Sequence, residues 1–158
     1  MDSKVKIFGH PIHPMVIAYP VAFYTATLVG FVIYAATDDQ FWLNLTIAAN
    51  LAGVAMAVVA ALPGFLDWLL AVPRGTEAKR TGLLHLTLNV TALVLFAVSL
   101  LVYLGSWNGP AKSAGLGIVL AALGVGATVG AGFLGWSLVQ DHHVGVRMRG
   151  QNRLERAA

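Results

Sequence analysis

The sequence predicts an all-α integral membrane protein, a four-helix bundle threaded up-down-up-down with both termini in the cytoplasm. Three observations predict it. Of the 158 residues, 58% are hydrophobic and 11% charged, whereas soluble domains carry roughly 25% charged residues. The apolar residues gather into four uninterrupted runs of about 20 residues or more, the length that crosses a hydrocarbon core of about 30 Å. Nine of the ten Lys and Arg residues fall on one side of those runs.

The first run spans 15–36 and closes at the polar Thr37-Asp38-Asp39 turn. It continues past the length of a signal peptide's apolar region and lacks a small-residue cleavage site, so it is expected to be a retained span. The second covers 41–72, about 48 Å as a straight helix and more than a bilayer core needs. Pro63-Gly64 predicts a kink there, because proline removes a backbone donor. The third run spans 82–104 and the fourth 114–140. The loops between them are short, which makes neighbouring helices antiparallel. One domain, 1–158, accounts for the whole chain, with a basic tail over 144–158.

Loop charge sets the orientation. Lys4 and Lys6 precede the first run, Arg74, Lys79 and Arg80 separate the second from the third, and Arg147, Arg149, Arg153 and Arg156 follow the fourth; only Lys112 lies opposite. The excess of positive charge on inner loops puts these segments in the cytoplasm of a cell with the chain multi-pass in its inner (plasma) membrane. Trp42, Trp68, Trp107 and Trp136 lie towards run ends, as an interfacial aromatic belt requires. Seven glycines in the fourth run, including Gly126 and Gly130 four apart, allow close helix approach. That approach is expected mainly within the bundle, with a homodimer through this helix as the alternative.

Titratable residues concentrate at the cytoplasmic edge. His10 and His13 sit in GHPIHP before the first run, His85 lies one turn into the third, and His142 and His143 follow the fourth beside Asp141. Asp67 lies beyond the Pro63 kink at the same depth, and an acid near hydrocarbon is costly without a partner. Imidazoles and a carboxylate with no cysteine suit zinc, iron, manganese or copper. The expected ligands are His10, His13, Asp67, His85 and His142, with Asn89, Asp141 and His143 in support. Pro11 and Pro14 bias the residues before them away from the α region, and Pro14 is suited to open the first helix. Haem b clamped between two histidines is the other cofactor such a layer suits. A salt bridge to Arg74 or Arg80 is the alternative for Asp67.

GHPIHPM, GFLDWLLAVPRGTEAKRTGLLHLTLNV and GWSLVQDHHVGV together resemble the membrane proteins grouped as domain of unknown function 2231, over essentially the whole chain. The resemblance falls on His10, Pro11, His13, Pro14, Asp67, Lys79, Arg80, His85, Asn89 and His142. Two departures stand out: Ala18 where many members carry a further histidine, and Asp141-His142-His143 where many carry Arg-His-Gly. Relatives fused to Rieske-type iron–sulfur domains imply a redox setting and a redox partner protein.

The expected function is a metal or haem site at the cytoplasmic membrane edge serving redox or electron-transfer chemistry. One alternative is a structural subunit whose His/Asp cluster is a buried hydrogen-bond network; another is a proton or metal-cation transporter, for which the opposite halves of the runs offer only Asn44, Asn50 and scattered Thr. No catalytic residue, phosphate loop or nucleic-acid groove is indicated, and the bilayer is the expected partner.

Overall fold

The computed structural model describes residues 1–146. A two-stranded hairpin, β1 (Lys6–Ile7) and β2 (His10–Pro11), leads into the short helix α1 (Ile12–Val16), followed by α2 (Ala18–Thr37), α3 (Gln40–Ala71), α4 (Glu77–Tyr103), a 3₁₀ turn (Leu104–Ser106) and α5 (Gly115–Gln140). Four stretches, Ile12–Thr37, Gln40–Ala71, Glu77–Ser106 and Gly115–Gln140, are long and apolar enough to cross a membrane. Arg147, Arg149, Arg153 and Arg156 of the basic tail lie outside the described residues.

The first helix opens earlier than its prolines suggest. Helical conformation starts at Ile12, so His13 and Pro14 both lie in the first turn. A proline there forfeits nothing, because first-turn N–H groups have no partner within the helix. Pro20 explains the interruption at Ile17: it cannot donate to the Val16 carbonyl, and the chain restarts as α2. The β-hairpin, absent from the sequence-based expectation, turns through Phe8 (φ 48) and Gly9 (φ 81). Positive φ at both central residues matches the twist of a two-residue hairpin loop.

Helix ends are tied by side chains. Asp39 caps α3 by accepting from the Phe41 amide, 2.9 Å, and Thr76 caps α4 by accepting from the Lys79 amide, 3.2 Å. α3 runs unbroken through the buried Pro63. At its far end the Lys79 ammonium donates to the carbonyls of Trp68 and Val72 and lies 4.0 Å from the Trp68 ring centre. A cation among the last carbonyls of a helix satisfies orphan acceptors and complements the dipole.

Glycine notches set the packing. Gly53 faces Tyr24 and Gly64 faces His13, so α3 runs back along the first span. Gly124 faces Phe96 and Gly135 faces His85, so α5 runs back along α4. The core holds Tyr24, Phe31, Tyr34, Leu43, Ile47, Phe96 and Tyr103, while Leu62, Val94, Leu101, Leu123 and Phe133 are exposed. Large apolar side chains on the outside suit a molecule whose solvent is lipid.

Candidate functional site

Two of the expected ligands meet. His13, on α1, donates its Nδ1–H to the carbonyl of Ala60 on α3, 2.8 Å. His85, on α4, donates its Nδ1–H to the carbonyl of Ala131 on α5, 2.8 Å. A carbonyl only accepts, so both Nδ1 atoms carry a proton; in the neutral ring this leaves the lone pair on Nε2, the form that binds metals. The rings stand 6.2 Å apart between centroids at 86°. Each is seated against a glycine one turn beyond its carbonyl partner. A Cβ on Gly64 would lie 2.7 Å from His13 Nδ1, and one on Gly135 would lie 3.2 Å from His85 Cε1.

Asn89, one turn along α4, places its Nδ2 3.2 Å from His85 Nε2 and 2.8 Å from the His85 carbonyl oxygen. It holds the His85 ring in orientation and covers its lone pair. A metal at that nitrogen displaces the first of these two hydrogen bonds.

The other expected ligands are engaged elsewhere. The Asp67 carboxylate accepts from Ser3 Oγ (2.6 Å), the Lys4 amide (2.7 Å) and the Val5 amide (3.1 Å). It clasps the strap of chain that leads into the β-hairpin, a role neither a metal ligand nor a bridge to Arg74 or Arg80 describes. Three donors converge on it because residues 3–5 cross the end of α3 with free N–H groups, and a carboxylate is the strongest acceptor within reach. His10 is exposed on β2 and hydrogen-bonds the Phe8 carbonyl within its own hairpin, 3.0 Å. Asp141 accepts from Ser137 Oγ at the end of α5, 2.6 Å. His142 and His143 occupy the turn that follows, His143 in the left-handed region at φ 53 with its carbonyl accepting from the Met1 amine. Among the described residues, no group of three or more His, Cys, Asp or Glu is placed to hold a metal ion.

The residue set therefore fits a metal only through the imidazole pair. Two imidazoles within ring contact would suit a bare ion or haem iron; the pair by itself lacks the carboxylate expected of the wider ligand set. Sequence reasoning missed the seats. Ala60-x-x-x-Gly64 and Ala131-x-x-x-Gly135 each present a carbonyl and, one turn on, a notch for a ring. That repeated signal is legible in the sequence.

A family model described as a predicted membrane protein, DUF2231, matches residues 9–148, a range that holds His10, His13, Asp67, His85, Asn89 and His142. The chain belongs to the DUF2231 family. No curated protein and no solved structure matches it. Within this DUF2231 chain, the conjunction of His13, His85 and Asn89 at one level of the helices is the only pairing of expected ligands that the described residues bring within ring contact.

Proposed function

We propose that this membrane protein holds a transition-metal centre, as a bare ion or as haem b iron, between His13 and His85 at its cytoplasmic edge, and that the centre serves redox or electron-transfer chemistry. The bundle is threaded up-down-up-down in the inner membrane with both ends inside, in line with Lys4, Lys6, Arg74, Lys79 and Arg80 flanking one side of the spans. One observation carries the metal reading: two half-buried imidazoles from separate helical pairs, each fixed in the Nδ1–H tautomer by a backbone carbonyl, stand 6.2 Å apart. Fixing the remote nitrogen orients the ligating one and raises its basicity. A redox partner would approach from the cytoplasm, where the site is nearest water.

Elemental analysis and a visible spectrum of protein purified without chelator test it. The expected result is near-stoichiometric metal that a His13→Ala/His85→Ala double substitution removes. A Soret band assigns haem; a colourless metal-bearing sample assigns an ion. Metal-free protein overturns the reading.

A structural role is the second reading, favoured by the same hydrogen bonds, because each imidazole also ties two helices together. On that reading the double substitution lowers the melting temperature of a protein that never carried metal. The glycines of α5 bear on assembly: Gly117, Gly124 and Gly135 face inward onto Phe31, Phe96 and His85, while Gly126 and Gly132 face open space. A homodimer would use that open stripe.

A further inference from the structure

The contacts of the first helical pair recur in the second at a fixed offset for each helix, 72 residues for the first of the pair and 71 for the second. His13 bonds Ala60 and His85 bonds Ala131, with 72 residues between the histidines and 71 between the alanines. Gly64, notched under His13, corresponds to Gly135 under His85, and Gly53, notched under Tyr24, corresponds to Gly124 under Phe96, again 71 apart, with Tyr24 and Phe96 72 apart. Burial follows the same rule. Gly117, Ala121, Gly124 and Ala131 are the buried residues of α5, and 71 residues earlier stand Thr46, Asn50, Gly53 and Ala60, all buried in α3. Buried Pro20, Tyr24, Thr27 and Phe31 correspond at 72 to buried Ala92, Phe96, Ser99 and Tyr103.

Three ring contacts join the two pairs, and in each a residue meets its own counterpart. They are His13–His85 at 6.2 Å, Tyr24–Phe96 at 3.7 Å and Phe31–Tyr103 at 4.7 Å. A residue touches its own mate only on a twofold axis, the mark of an isologous interface. The remaining packing obeys the same operation: α3 packs on α4 and α2 on α5, contacts that exchange when the pairs exchange. The 18 residues from position 13 to 31 carry the axis roughly 27 Å along the bundle.

We propose that the chain is two copies of one helical hairpin related by a twofold axis along the bundle, and that His13 and His85 are the two equivalent arms of a single on-axis site that holds one metal atom through their Nε2 nitrogens. The second half rests on the metal-centre reading above; the duplication does not. Two neutral imidazoles with no thiolate would suit a cuprous ion or haem iron, and neither metal requires Asp67. The halves differ where one copy has been adapted: Asn89 stands where the first hairpin has Ile17, and Asp67 where the second has Leu138.

The test uses the full chain in detergent, incubated anaerobically with Cu(I) against a competing chelator, or with haem b. The expected result is one metal atom per chain, bound at least tenfold more weakly by His13→Ala and by His85→Ala alike, and unchanged by His10→Ala. Gly64→Ala and Gly135→Ala weaken it by similar factors. A bis-imidazole low-spin haem spectrum, or two nitrogen neighbours by X-ray absorption at copper, distinguishes the sources. Metal retained by one histidine variant and lost from the other overturns the equivalence while leaving a metal centre; binding of neither probe overturns the centre. The duplication has its own readout. Exchanging the on-axis pair, Tyr24→Phe with Phe96→Tyr, keeps the melting temperature within about 2 °C, since each ring enters an equivalent seat. A fall of more than about 10 °C for the exchanged chain overturns the duplication whether or not metal binds.

Discussion

Asp67 and Asn89 carry the sharpest residue-level consequences, because each has been given a task by its neighbours rather than by its type. The Asp67 carboxylate gathers three donors from residues 3–5, and hydrogen bonds to a charged group contribute about 1.5–3 kcal/mol each before screening. Asp67→Ala is expected to lower stability by about 2 kcal/mol and to speed amide exchange at Lys4 and Val5, with metal content unchanged. Loss of metal in that variant would return Asp67 to the ligand set. Asn89 covers the lone pair of His85 Nε2 at 3.2 Å. Removing a neutral hydrogen bond of about 1 kcal/mol that competes with the metal tightens binding about fivefold in Asn89→Ala. Weaker binding in that variant would mean the amide supports the metal instead of opposing it.

At the scale of the elements, the notches and caps decide where each helix sits. A methyl added at Gly53 would lie 2.8 Å from the Tyr24 ring and one at Gly124 2.5 Å from the Phe96 ring. Overpacking of this kind costs about 1–3 kcal/mol, so Gly53→Ala and Gly124→Ala should each lower the thermal midpoint, whereas Gly126→Ala and Gly132→Ala, which meet open space, should leave it within error. Lys79→Met removes the cation from the last carbonyls of α3, and a loss of about 1 kcal/mol is expected. Thermal unfolding in one detergent compares all five. The helices themselves were legible in the sequence, because spans declare themselves through length and apolarity. The start at Ile12 and the β-hairpin were not: His13 takes helical conformation despite the proline that follows it, and Phe8 adopts positive φ without being glycine. Local preferences favour neither, and contacts with the rest of the chain prevail.

For the molecule as a whole, the sequence already held the raw material of the site but not its grouping. His13 and His85 meet at 6.2 Å, whereas His10 and Asp67 turn to other partners. Depth follows from span position; direction round a helix follows from packing, which depends on notches such as Gly64 and Gly135. The two-copy relation is harder to read because α2 and α4 share few residue types at their offset, and in α3 and α5 the matching seats Ala60/Ala131 and Gly53/Gly124 lie among matches of common apolar residues such as Leu45/Leu116 and Val58/Val129. Orientation has a direct test. The chain has no cysteine, so Glu77→Cys and Ala111→Cys offer single thiols in opposite loops. In intact cells an impermeant maleimide should label Ala111→Cys alone; labelling of Glu77→Cys instead would invert the bundle.

The glycine seats also limit how these helices can move. A ring lodged in a notch acts as a key in a slot: sliding α3 by one turn against the first span would drive the Tyr24 and His13 rings onto side chains that bear a Cβ, and α5 is locked on α4 in the same manner. With four such keys engaged at two depths, each helical pair is built to stay put internally. Any large movement within the bundle is thereby confined to one pair turning against the other as a unit.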